Sequence, residues 1–176
     1  MTQQETPQVI GVRHVGLSAR DPAALAEFYR DVLGLQVVGG STADTSAFGA
    51  TALLSSRPAE ALLDLALVAN PAYQHTAFEV RSVADLRTFH QRVLSRGVPV
   101  KMALNHGVSL SFYFDDPEGH LIEVYWPTGA ACRPRHGDAI DLTRSEEALR
   151  RDAAELAAQA GTPSAPGGAE PGRVRW

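Results

Sequence analysis

RHVGLSARDPAALAEFYRDVLG, residues 13–34, reads as a β-strand running directly into an α-helix. In its first part Val15 and Leu17 alternate onto one face, which leaves His14 on the other. In its second part Leu25, Phe28, Val32 and Leu33 recur at i, i+3, i+7 and i+8, the spacing of one core-facing helical stripe.

The same pattern returns 61 residues later as QHTAFEVRSVADLRTFHQRVLS, residues 74–95. His14 falls on His75, Leu17 on Phe78, Arg20 on Arg81, Leu25 on Leu86, Phe28 on Phe89, Val32 on Val93 and Leu33 on Leu94. An internal repeat of this kind sets the architecture before any single motif does. Three strand-like runs follow each helix: LQVVGG, SAFGATALL and LDLALV in the first copy, VPVKMAL, SLSFYFD and HLIEVYW in the second. The expected fold is therefore α+β, two βαβββ repeats at about 9–70 and 71–127 forming an open, barrel-like mixed sheet with the helices outside. On that arrangement the histidine of each first strand projects into a cleft, together with one residue of each last strand. In the second copy that residue is Glu123, whose neighbours Ile122 and Val124 read as core; in the first it is Asp64 or a neighbour.

Composition narrows the kinds of site worth considering. The 176 residues, 44% of them hydrophobic, suffice for one ordinary domain and a tail. The single cysteine, Cys132, excludes an internal disulfide framework and a multi-cysteine metal cage, so metal affinity must come from histidine and carboxylate. A net charge of −4 with scattered Lys and Arg offers no face for a phosphate backbone, and nucleic acid is not an expected partner. With no basic-apolar leader and no run near the roughly 20 apolar residues of a membrane span, a cytoplasmic location is expected. Past Pro127 the composition changes. Residues 128–160 read as a linker and a peripheral helix, capped by Thr143 or Ser145 and stopped by Gly161, and residues 161–176 as a disordered tail.

Two histidines at equivalent repeat positions, with a carboxylate breaking an apolar strand, point to a metal site at His14, His75 and Glu123. Taken singly, either histidine could be a satisfied core residue, Glu123 a solvent-facing edge residue, and Asp64 a fourth ligand or a hydrogen-bonding cap. Two imidazoles and one carboxylate on one face leave up to three positions open, which suits non-haem Fe(II); the same donors accept Mn(II), Ni(II), Co(II) or Zn(II).

RHVGLSARDPAALAEFYRDVLGL, QHTAFEV and YFDDPEGHLIEVYW together resemble the vicinal oxygen chelate superfamily, which includes glyoxalase I, bleomycin-resistance proteins and extradiol dioxygenases. The resemblance covers residues 9–127. The linker DAIDLT is similar to a segment that often follows in dioxygenase-like members. The order His, His, Glu is that of the extradiol branch, and carried over it makes His14, His75 and Glu123 the ligands. It also implies that His106 acts as acid/base and that Tyr113 hydrogen-bonds the substrate oxygen or an intermediate. Read without the family, His106 is a loop histidine and Tyr113 a cross-strand packing aromatic. One departure opposes this branch: Leu62 and Leu63 stand where many extradiol enzymes carry a histidine near the oxygen site.

The function expected is a metal-dependent extradiol dioxygenase acting on a catechol-like ring with dioxygen, in a homodimer. The alternatives are a glyoxalase-like isomerase, lyase or epimerase, and a non-catalytic protein that sequesters a small aromatic molecule. Phe48, Phe112 and Tyr125 are the expected cleft-lining residues, and His90 is expected as a partly exposed helix residue.

Overall fold

In the computed structural model the described residues are 7–42, 47–60, 63–130 and 137–159. Cys132, Gly161 and the tail 161–176 lie outside them. The first unit comprises β1 (Gly11–Ser18), α1 (Pro22–Leu33), β2 (Gln36–Ser41), β3 (Thr51–Ser55) and β4 (Leu65–Val68). The second comprises β5 (His75–Glu79), α2 (Val83–Ser95), β6 (Val100–Asn105), β7 (Ser109–Asp115) and β8 (Leu121–Pro127). A two-residue strand, β9 (Asp138–Ala139), and α3 (Glu146–Gln159) follow.

Local chemistry sets the helix ends. Asp21 caps α1 by accepting from the amides of Ala23 and Ala24, and Gly34, at φ 72°, turns the chain out of it. Ser82 caps α2 through the amide of Asp85.

The nine strands of the described residues form one curled sheet in the order β2-β3-β4-β1-β5-β8-β7-β6-β9. Each unit pairs its first strand in parallel with its last, β1 with β4 and β5 with β8. The two units join where β1 and β5 run antiparallel, with Gly16 opposite His75 and His14 opposite Ala77. The two histidine strands are thus hydrogen-bonded neighbours at the centre of the sheet.

One face of the sheet carries the helices. Leu110, Phe112 and Val124 pack there with Val80, Val83 and Leu86. Phe112 therefore belongs to the core and not to the cleft, because strand alternation sends it opposite to Tyr113. His90 is likewise buried, its ring edge-on to Phe112 at 5.3 Å, so it is a core residue and not a partly exposed one. The stripe expected for α2 faces inward through Leu86, Phe89 and Val93, but its last member, Leu94, is exposed. That of α1 does not: Phe28, Val32 and Leu33 are exposed, and the helix packs through Leu25, Ala26 and Tyr29 against Leu54 and Leu67. Small Ala26 lets α1 sit close to the sheet on that side.

The helix α3, expected at the periphery, places Leu149 and Ala153 in the core of the second unit beside Leu142. Ser145 caps it, accepting from the amide of Ala148, and the Asn105 side-chain amide donates to the Asp152 carbonyl. Leu149 is fully buried, so Leu149→Ala should cost about 2–5 kcal/mol of folding stability through the lost contacts and the cavity left behind. Urea unfolding measures this; a loss below about 0.5 kcal/mol would show that α3 is not part of the cooperative unit.

Candidate metal centre

Three adjacent strands supply the three expected metal ligands. His14 on β1, His75 on β5 and Glu123 on β8 all turn toward the concave face, and all three are buried. The register explains the meeting. Ala77 lies between His14 on one side and Glu123 on the other, and its own side chain on that face is only a methyl.

The donor atoms form a small triangle. Glu123 Oε2 is 3.0 Å from His14 Nε2 and 3.3 Å from His75 Nε2, and the two nitrogens are 3.3 Å apart. Neighbouring ligands on a metal with bonds of about 2.1 Å are themselves about 3 Å apart, so this triad fits a divalent metal ion without rearrangement. Two nitrogens and one oxygen are donors that several first-row metals accept.

Neighbouring groups hold two of the three ligands, His75 and Glu123, in a binding-competent form. His75 Nδ1 donates to the Tyr73 carbonyl at 2.7 Å, which puts the ring proton there and leaves the Nε2 lone pair facing the triangle. His14 Nδ1 is buried with no partner among the described residues, so the polar contacts of that ring are made through Nε2. The other carboxylate oxygen of Glu123, Oε1, accepts from the Tyr113 hydroxyl at 2.8 Å. Tyr113 and Glu123 are directly opposite each other on β7 and β8. With its proton on Glu123, the phenol oxygen accepts in turn from His106 Nε2 at 3.2 Å. The structure thus brings His106 and Tyr113 to the triad as one hydrogen-bonded chain ending on the carboxylate.

Burial alone would neutralise Glu123, but the two imidazoles outweigh it and hold the carboxyl well below its ordinary range. For His75, burial lowers the proton affinity, yet the hydrogen bond and charge of Glu123 and the Tyr73 carbonyl raise it overall. Burial and the Glu123 charge push the Tyr113 hydroxyl well above 10, so it stays a donor.

Asp64 does not reach the site. Its carboxylate accepts from the Ser56 amide, and by register the first-unit counterpart of Glu123 is Ala66: Gly16 pairs with Ala66 as Ala77 pairs with Glu123. Met102, Phe48 and Tyr73 pack with Leu104, Tyr113 and Leu121, making one side of the cleft apolar. The Tyr125 ring lies 5.3 Å from that of His14, and its hydroxyl donates to Glu79. Leu63 is partly buried just before β4; Leu62 lies outside the described residues.

A paired-repeat α+β sheet with a two-histidine, one-carboxylate centre at the junction of its halves defines a metal-site fold. The chain belongs to the glyoxalase/bleomycin resistance protein/dioxygenase superfamily, whose family model matches residues 11–124. It is 28% identical over 115 residues to biphenyl-2,3-diol 1,2-dioxygenase 3 of Rhodococcus globerulus, covering 63% of this chain and 60% of that protein. It is also 28% identical over 125 residues to metallothiol transferase FosB of Shouchella clausii, covering 68% of this chain and 82% of the transferase. Among solved structures, methylmalonyl-CoA epimerase from Mycobacterium tuberculosis superposes with a TM-score of 0.52 at 26% identity, over 72% of this chain and 93% of the epimerase. The chain thus spans under two thirds of the dioxygenase's length.

Because the raised proton affinity of His75 keeps its imidazolium to higher pH than a free imidazole, a metal must displace that proton. Metal affinity, measured by calorimetry, should therefore weaken as pH falls toward about 6.5, with protons released on binding, and level off at higher pH. Affinity independent of pH between about 6 and 8 would contradict this assignment.

Proposed function

We propose that residues 9–127 form a metal-dependent extradiol dioxygenase domain that opens a catechol-like ring with dioxygen. The observation that carries this reading is the chain from His106 through Tyr113 to Glu123, beside a set of three ligands in which Ala66 stands where a fourth would be. A divalent ion held by His14, His75 and Glu123, with Fe(II) the best match, would offer adjacent positions for two vicinal oxygens and for dioxygen.

The residues around it divide the remaining work. Tyr113 orients the carboxylate by donating to Oε1, which leaves Oε2 for the metal. His106, at the end of the chain, can take a proton from a substrate hydroxyl and return it to the ring-opened product. The side formed by Phe48, Met102 and Tyr73 gives a flat ring an apolar surface and limits water. The overall change adds both atoms of dioxygen to the ring and breaks one carbon–carbon bond, so no further oxidant or reductant is needed. A homodimer is part of this reading.

A second reading, a metal-dependent isomerase or epimerase needing only proton transfer, is supported by two observations. Leu63 stands where the extradiol resemblance leads one to expect a histidine, and the match to the epimerase extends over nearly all of that chain.

Protein loaded anaerobically with Fe(II) and mixed with a panel of catechols should take up one dioxygen per ring and form a coloured product once oxygen is admitted. His106→Phe should leave metal content and catechol binding nearly intact while slowing turnover by ~10²-fold or more. Catechol binding without oxygen uptake across the panel would overturn the dioxygenase reading in favour of proton transfer. Equal losses of binding and turnover in the histidine variant would make His106 structural.

A further inference from the structure

We infer that Gly16 is a positioning residue for the metal centre: the absence of its side chain is what lets His75 occupy its ligand position. Gly16 is the cross-strand partner of His75, and the imidazole lies over its backbone. A Cβ at Gly16 would lie 2.3 Å from His75 Nδ1, 2.4 Å from Cε1 and 3.0 Å from Cγ, inside the contact distance of the ring. Its backbone is not in the left-handed region, so conformational freedom is not the reason for glycine here.

The ring cannot simply slide aside and stay useful. Nδ1 is tied to the Tyr73 carbonyl at 2.7 Å and Nε2 stands 3.3 Å from both His14 Nε2 and Glu123 Oε2. Displacing it by the depth of a methyl group breaks one contact or the other. Tyr73 itself is fixed, since it closes the short turn Pro71–Tyr73 and the next side chain, Gln74, accepts from Ser18 on the neighbouring strand.

The repeat supplies an internal comparison. The counterpart of Gly16 in the second unit is Ala77, which faces His14 and is fully buried. His14 therefore sits over a methyl group, and its Nδ1 has no partner among the described residues. His75 sits over bare backbone, and its Nδ1 reaches a carbonyl. Glycine at one position and alanine at the other make the two histidines inequivalent, and only His75 has its tautomer fixed by the main chain.

This inference rests on the metal reading of the triad, so the test includes a measurement made without metal. In metal-free protein, long-range ¹H–¹⁵N spectra should show His75 protonated at Nδ1, and Gly16→Ala should shift or abolish that signature while leaving His14 less affected. With Zn(II) as probe, Gly16→Ala should weaken binding about tenfold or more. In the His75→Ala background the same methyl group has room, so Gly16→Ala should not lower the unfolding midpoint further. That double variant also covers the case in which Gly16→Ala alone fails to fold: a folded double variant supports the inference, and one as damaged as the single variant overturns it. Wild-type Zn(II) affinity and an unchanged His75 signature in Gly16→Ala would overturn it as well. Absence of Zn(II) binding to the wild-type protein would count against the metal reading instead, with the metal-free spectra still deciding the role of Gly16.

Discussion

A single buried carboxylate organises this molecule. Glu123 is 3% exposed, and taking an ionised carboxylate out of water is costly unless positive charge or strong donors surround it. Tyr113 satisfies one of its oxygens, and the other is turned to two imidazole nitrogens at 3.0 and 3.3 Å. With neutral imidazoles the cluster carries one negative charge; with a divalent cation added it carries one positive charge. That balance would suit an anionic ligand on the metal. In metal-free protein the raised proton affinity of His75 supplies part of the missing positive charge.

The sheet delivers the three donors with little adjustment. Ligands on three hydrogen-bonded neighbours, β1, β5 and β8, are spaced by the sheet itself. Core packing behind them, through Phe112, Val124 and Leu86, fixes the strands that bear Tyr113 and Glu123. The second unit has extra support, because α3 and the segment before it add Leu142, Leu149 and Ala153 to its core. That unit carries Glu123, Tyr113 and His106, so the added packing lies under the half of the site that holds the hydrogen-bonded chain.

The architecture and the pair of histidines were legible because both repeat. The offset of 61 residues puts His14 and His75 in register, and strand alternation separates Glu123 from Ile122 and Val124. What escaped depended on contacts between distant segments. The parallel register of β1 with β4 makes Ala66, not Asp64, the counterpart of Glu123, and no local pattern reports that register. His90 lines up with Tyr29 in the repeat but is covered by Phe112. The spacing of Leu149, Ala153 and Leu156 is visible in the sequence, whereas the surface they meet is not. Phe112 was readable in principle, since it alternates with Tyr113. Gly16 left a usable signal too: a glycine inside a strand, where the second copy has Ala77.

A crystal structure of metal-loaded protein, with anomalous scattering collected at the metal's absorption edge, tests the central claim most directly. The account predicts one strong peak per chain within about 2.0–2.2 Å of His14 Nε2, His75 Nε2 and Glu123 Oε2, with the Tyr113 hydroxyl still on Glu123 Oε1. Metal bound elsewhere, or a triad that remains hydrogen-bonded to itself in excess metal, would contradict it.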